Sequence, residues 1–226
     1  MNKSELSVFS EHPGVSFDLS CLDGRSEWVI GLDEVGRGCL AGPVLAVACR
    51  IRIANARLSG VKDSKLLTAL QREFLVEQLA ALPSLEYSYG VASVEEIDQV
   101  NIGKASLLAM ERALHGLDVR DACILVDGKS LPYLSEQSGH LSLRSYVKGD
   151  SLSWTIGAAS IFAKVKRDAI MCDLEGRWPG YSFSKNKGYG TAEHLLALKT
   201  IGVSPVHRRS FKPVRETIAF FSGAKL

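Results

Sequence analysis

No apolar run in this 226-residue chain reaches the ~18 residues of a membrane-spanning helix. Residues 1–10 lack a basic segment leading into a long apolar one, so no secretory signal is expected. The five cysteines, Cys21, Cys39, Cys49, Cys123 and Cys172, include no Cys-x-x-Cys pair. An odd count without metal spacing argues against a disulfide framework or a thiolate metal site, and for reduced thiols in a cytoplasmic protein. Cys39 is accordingly read as a buried thiol rather than a nucleophile. There is no internal repeat and no low-complexity segment. Charge of one sign is not in excess overall, with a net charge of +2. It is unevenly placed, however. Residues 1–143 carry 13 Lys and Arg against 19 Asp and Glu, whereas residues 144–226 carry 14 against 6. The second part suits a polyanion, or is simply a solvated basic surface.

What is present begins with strands. Residues 28–34, 44–53, 85–92, 122–126 and 141–147 carry the apolar or alternating patterns of strands, and 122–126 is apolar throughout, as in a sheet interior. Thr68 with Gln71 forms a capping box that opens a helix to about Ala81, and Ser93 with Glu96 forms a second. Further helices are expected over 103–114, ended by Gly116, over 153–174, over 191–200, and from a Pro213 at the first helical position. Residues 1–26 read as a loose arm with one short strand. Strands that then alternate with helices indicate an α/β fold.

The chemistry concentrates in residues 31–43, Gly-Leu-Asp-Glu-Val-Gly-Arg-Gly-Cys-Leu-Ala-Gly-Pro. Asp33 and Glu34 close an apolar strand, where adjacent carboxylates lose hydration and repel each other, so they need a counter-ion. Gly36-Arg37-Gly38 follows, with glycines that allow close backbone approach and an arginine that suits phosphate. Asp127 also ends an apolar strand. If its strand neighbours that of Asp33, the two carboxylates converge at the sheet end, where ligand sites collect. Asp168 falls well inside the long helix. Glu34, next in the chain to Asp33, should point to the opposite face unless the strand bends or its longer side chain reaches round. Singly, each carboxylate reads equally well as a cap or a solvated strand end. A turn explains the glycines just as well, and a surface loop explains Lys65.

Asp33-Glu34-Val35-Gly36-Arg37-Gly38 resembles the signature of ribonuclease HII, which cuts the RNA strand of RNA–DNA hybrids and nicks DNA at embedded ribonucleotides. The resemblance continues through Asp63-Ser64-Lys65, Val126-Asp127-Gly128-Lys129, Val147-Lys148-Gly149-Asp150, Ala158-Ala159-Ser160-Ile161, Ala163-Lys164-Val165, Arg167-Asp168, Lys187-Gly188-Tyr189 and His207-Arg208-Arg209-Ser210-Phe211. Nine blocks in family order, over about residues 28–215, are far more specific than one. The resemblance implies a ribonuclease H-like fold, a mixed five-stranded sheet flanked by helices with a helical C-terminal part. Its divisions would be an N-terminal extension (1–26), a catalytic domain (27–190) and the helical part (191–226). It implies that Asp33, Glu34, Asp127 and Asp168 hold two divalent ions, Mg²⁺ or Mn²⁺. It further implies that Gly36, Arg37 and Gly38 sense a ribose 2′-hydroxyl and that Lys65 meets a phosphate. Tyr189 would stack on the adjoining sugar, and Lys187, Arg208 and Arg209, with Lys212, would wall a nucleic-acid groove. His207 is assigned to a phosphate contact or a structural hydrogen bond. The partners implied are RNA–DNA hybrid and ribonucleotide-containing duplex, met by a monomer away from membranes.

The chain departs from the resemblance at Cys39 and Gly190, where many relatives have proline, and at Leu66, where a second lysine is frequent. Competing readings are ribonuclease HIII, an inactive nucleic-acid-binding module, and a metal-dependent phosphatase. The first usually has threonine at the Arg37 position and an extra N-terminal domain, for which 27 residues are too few. The second should have lost a carboxylate.

Overall fold

The computed structural model describes residues 13–24, 26–52, 61, 67–134 and 142–223. Lys65, with the rest of its Asp-Ser-Lys block, and Leu66 lie outside the described residues. The strands are β1 (Trp28–Val35), β2 (Val44–Arg52), β3 (Leu85–Ala92), β4 (Ala122–Asp127) and β5 (Ser142–Tyr146). They form one mixed sheet in the order β3-β2-β1-β4-β5, with β1 antiparallel to β2 and parallel to β4. Central β1 is buried on both faces: Val29 lies in one core layer, Ile30 and Leu32 in the other. This is why its sequence is almost continuously apolar.

The helices are α1 (Pro13–Cys21), α2 (Ala69–Ala80), α3 (Val94–Val100), α4 (Ile102–His115), α5 (Gly149–Leu152), α6 (Trp154–Arg177), α7 (Phe183–Asn186), α8 (Ala192–Ile201) and α9 (Lys212–Ser222). Both capping boxes form, at Thr68/Gln71 and Ser93/Glu96. Pro213 is the second residue of α9 rather than the first. The main correction concerns the N-terminal arm, because residues 13–21 are helical. Val15 and Cys21 are buried against the sheet, and the Asp18 carboxylate accepts the Thr155 N–H at 2.9 Å. That contact satisfies a donor at the start of α6, so tertiary packing rather than local preference makes the helix. Burial raises the Asp18 carboxyl to about 7.

Helix α6 determines the site. A Cβ on Gly31 of β1 would stand 2.1 Å from the Thr155 carbonyl carbon, so only glycine lets α6 lie this close to the strand. From that contact Ser160, Lys164 and Asp168 follow at four-residue intervals and share one face of the helix. The end of α6, with α7, α8 and α9, encloses a third apolar core around Tyr181, Phe183 and Leu198.

Candidate active site

Asp33 follows Leu32, whose register partner on β4 is Val126; Asp127 follows Val126. Two neighbouring parallel strands thus deliver two carboxylates at the same level. Both are at odd positions, the face that α6 covers. A cavity of about 210 Å³ opens there, lined by Asp33, Glu34, Val35, Gly36, Arg37, Gly38, Asp127, Ser160, Lys164 and Tyr189. Seven residues proposed from sequence are therefore gathered in one place. Glu34 lines the cavity too, and β1 runs on past it to Val35. Its carboxylate pairs with Arg37 Nη1 at 3.1 Å.

Burial, then the charges of Asp127, Glu34 and Asp150, hold the Asp33 carboxyl well above its ordinary range, while a Ser160 hydrogen bond opposes them. Burial likewise raises Glu34, with Arg37 opposing. Asp127 Oδ1 accepts the Gly149 N–H at 2.7 Å. Asp168 and Lys187 line a second cavity of about 270 Å³ with Arg72, Glu73 and Cys172. Asp168 pairs there with Arg72 at 3.8 Å, one helical turn beyond Lys164.

The glycine loop is held from beneath by two buried arginines. Arg208 donates to the carbonyls of Gly36 (2.7 Å), Gly42 (2.9 Å), Arg37 (3.0 Å) and Pro43 (3.2 Å). Arg167 donates to those of Lys187 (2.8 Å), Ala41 (3.2 Å) and Pro43 (3.2 Å). Gly36 has φ +96°, and a Cβ there would meet Arg167 Nε at 2.2 Å. The loop also pairs with the C-terminal part through Leu40 N–H to Gly188 O (2.7 Å) and Arg208 N–H to Leu40 O (2.8 Å). Cys39 is fully buried, as expected of a packed thiol, and burial raises its pKa.

Arg208 therefore needs correction. It is 0% exposed and turned into the protein, so it cannot wall a groove; it holds the loop. Arg209 is exposed, its backbone N–H bound to Asp98 at 2.9 Å, and it lines neither cavity. His207 takes the structural option, buried against His194 with their Nε2 atoms 2.9 Å apart. Ser160, Lys164 and Arg167 lie in the family-like motifs but carry no role that their motifs alone disclose. The four-residue spacing of Ser160, Lys164 and Asp168 was a usable signal. So was Arg167, an arginine flanked one turn away on each side by Ala163 and Met171.

Asp33, Glu34 and Asp127 offer only oxygen, and mutual repulsion leaves them short of positive charge, which fits a hard divalent cation. Among the described residues no three His, Cys, Asp or Glu side chains form a metal-holding group by themselves. Mg²⁺ commonly takes one or two carboxylates and completes its shell with water and substrate phosphate, so the open arrangement suits it.

A sequence model of the family described as Ribonuclease HII matches residues 30–214. The Ribonuclease HII of Cereibacter sphaeroides is 52% identical over 191 residues, spanning 84% of this chain and 86% of that protein. The crystal structure of the ribonuclease H2 from Pyrococcus horikoshii superposes with a TM-score of 0.69 at 27% identity, over 86% of this chain and 99% of that one. Bst-RNase HIII in complex with Mn²⁺ superposes with a TM-score of 0.65 at 19% identity, over 90% and 73%, a likeness of fold alone.

Proposed function

The chain belongs to the ribonuclease HII family and is an endoribonuclease acting on RNA–DNA hybrids; we propose that Asp33, Glu34, Asp127 and Asp168 are its catalytic carboxylates and that it also nicks duplex DNA at a single embedded ribonucleotide. The observation that carries this is one cavity lined by Asp33 and Asp127 together with Gly36-Arg37-Gly38 and Tyr189. The enzyme depends on a divalent metal, and we take the number as two, Mg²⁺ or Mn²⁺. Asp33, Glu34 and Asp127 would hold the first and Asp168, with substrate oxygens, would contribute to the second. Held there, divalent ions would supply activation of a water for in-line attack at phosphorus and stabilisation of the departing 3′ oxygen, a cleavage that would leave a 5′-phosphate and a 3′-hydroxyl.

The chain's own residues supply position and selectivity. Arg167 and Arg208 fix the loop carbonyls, so the N–H groups between them have little freedom and can question one 2′-hydroxyl, the group that separates RNA from DNA. Tyr189, 45% exposed and facing Gly38, offers a ring to the deoxyribose on the 3′ side. Arg37, Lys187 and Arg209 are accessible cations for phosphates, and Lys164 stands beside the carboxylates as another. Lys65 keeps its sequence-based assignment to a phosphate. The Bst-RNase HIII complex with Mn²⁺ favours a divalent ion on this fold.

The test is a DNA duplex with one ribonucleotide, run beside a long RNA–DNA hybrid with Mg²⁺ and with Mn²⁺. We expect a nick on the 5′ side of the ribonucleotide. Cleavage of the long hybrid alone under both metals overturns the single-ribonucleotide reading.

A further inference from the structure

We propose that His194 and His207 form a one-way hydrogen-bond relay that positions Tyr189 beside the glycine loop, and so contributes to the preference for a single ribonucleotide. The proposal rests on the reading of Tyr189 as the residue that contacts the sugar.

The direction of the relay follows from its ends, both of which are backbone. The Ser204 N–H can only donate, and it meets His207 Nδ1 at 3.0 Å, with Ser204 Oγ at 2.7 Å from the same nitrogen. His207 Nδ1 is therefore an acceptor, and the neutral ring carries its proton on Nε2. That atom faces His194 Nε2 at 2.9 Å, which must then accept. The His194 proton is left on Nδ1, 2.9 Å from the Tyr189 carbonyl, which can only accept. Each link fixes the next, and both rings are buried, at 0% and 1% exposure. A proton added to His194 would oppose two N–H groups at the central contact. One added to His207 would oppose the Ser204 N–H. The relay holds only with both rings neutral.

The relay also spans the loop. Tyr189 pairs with Cys39, and His207 with Ala41, through isolated antiparallel bridges. The two imidazoles therefore brace the two places where the C-terminal part grips residues 36–43. Losing the brace should move Tyr189 without touching the carboxylates. His194 and His207 are positioning residues, not catalytic ones.

The experiment is a cycle of variants read as a ratio: kcat/KM for a single-ribonucleotide duplex divided by kcat/KM for a long hybrid. Tyr189→Ala lowers this ratio if Tyr189 reads the junction. His194→Leu should lower it roughly threefold to tenfold, the sort of loss that small misplacement causes. The double variant should fall no further than Tyr189→Ala, because both act through one ring. His194→Asn keeps an amide N–H near the Nδ1 position and should recover most of the ratio. Additive losses, or an equal fall on both substrates with the ratio unchanged, overturn the positioning role. An unchanged ratio in Tyr189→Ala overturns the Tyr189 reading and, with it, the specificity half of the proposal. Imidazole ¹⁵N NMR of the wild-type chain at neutral pH decides the relay independently. Protons on His207 Nε2 and His194 Nδ1 are expected; the opposite tautomers, or an imidazolium, overturn it.

Discussion

At the sheet end of the cavity Asp33 is a buried acid whose near neighbours, Asp127 and Glu34, carry the same sign, and its carboxyl is pushed well above the usual range. Beneath the glycine loop Arg208 is as deeply buried, and burial draws its guanidinium down to about 10, which leaves it charged at neutral pH. The difference lies in what surrounds them. Arg208 has four carbonyls on its five donors and needs nothing from outside. Asp33 has one Ser160 hydroxyl and its own chain's next N–H, at 2.8 Å. One region is electrostatically complete in the free protein; the other is left with unbalanced like charge, which the proposed cation would offset. Removing a charge should thus relieve strain in the acidic region of the free protein and destabilise the basic one.

The largest expected effect is on activity. Asp33→Asn or Asp127→Asn should lower cleavage by about a thousandfold, some 4 kcal/mol of transition-state stabilisation. The metal-free protein should be as stable as wild type or slightly more so, since a repulsion has gone. Steady-state cleavage and thermal unfolding of the metal-free protein check both halves. More than a tenth of wild-type turnover contradicts the assignment.

Arg208→Met should do the reverse to stability. It takes a donor from the carbonyls of Gly36, Arg37, Gly42 and Pro43, of which Gly36 keeps the Cys39 N–H and Pro43 keeps Arg167, and should cost about 3 kcal/mol. Arg208→Lys should recover only part, because an ammonium cannot match the planar fork. Urea unfolding measures this. If Asp33→Asn costs as much as Arg208→Met, the two regions do not differ as described.

The same contrast explains what the sequence could and could not disclose. The meeting of Asp33 with Asp127 is legible because both close apolar strands, where a charge is conspicuous. The capping boxes were legible because Thr68/Gln71 and Ser93/Glu96 are local patterns. Arg208 was misread because Arg-Arg in a loop looks like surface. Its burial depends on carbonyls about 170 residues away in sequence. Helix α1 was missed for the same reason: Asp18 finds its partner at Thr155. Linear patterns reveal groups whose partners are close in sequence or come from solution, and conceal those satisfied by distant backbone.

A third, smaller effect sets a buried acid against a buried base. Burial raises Asp18 on the sheet side from 3.8 to about 7. Burial, with His194 beside it, lowers His207 on the loop side from 6.5 to about 4. Between pH 4 and 6.5 the folded chain holds a proton on Asp18 that the unfolded chain has released, so this contribution to stability falls as pH rises. His207 works in the opposite sense, its unfolded form being the protonated one, so its contribution rises with pH. The two oppose each other in the wild type. Asp18→Asn should leave stability rising more steeply with pH over this window, and His207→Gln should tilt it downwards, each by about 2 kcal/mol. Denaturant titrations at pH 4 and 6.5 test the signs. Tilts in the same direction would mean that one of the two buried groups has been assigned the wrong protonation state.

The smallest effect separates the two neighbouring arginines. Arg209 is exposed and Arg208 is not, although they are adjacent in a motif that looks uniformly basic. A phosphate contact releases condensed counterions, so each one lost should flatten the dependence of log K on log salt by about 0.9. Between 50 and 200 mM salt this amounts to about three- to fourfold in affinity per contact. Arg209→Gln should show that change on a hybrid duplex, and Lys187→Gln the same, measured without divalent ion so that no strand is cut. Arg208→Met should not change the slope among folded molecules, because its guanidinium never reaches solvent or phosphate. It can weaken binding at every salt concentration by loosening the loop, but an offset is not a slope. An unchanged slope in Arg209→Gln with a flattened one in Arg208→Met would mean that the loop turns over when nucleic acid binds. The division between a self-sufficient basic clamp and an open acidic site would then hold for the free enzyme alone.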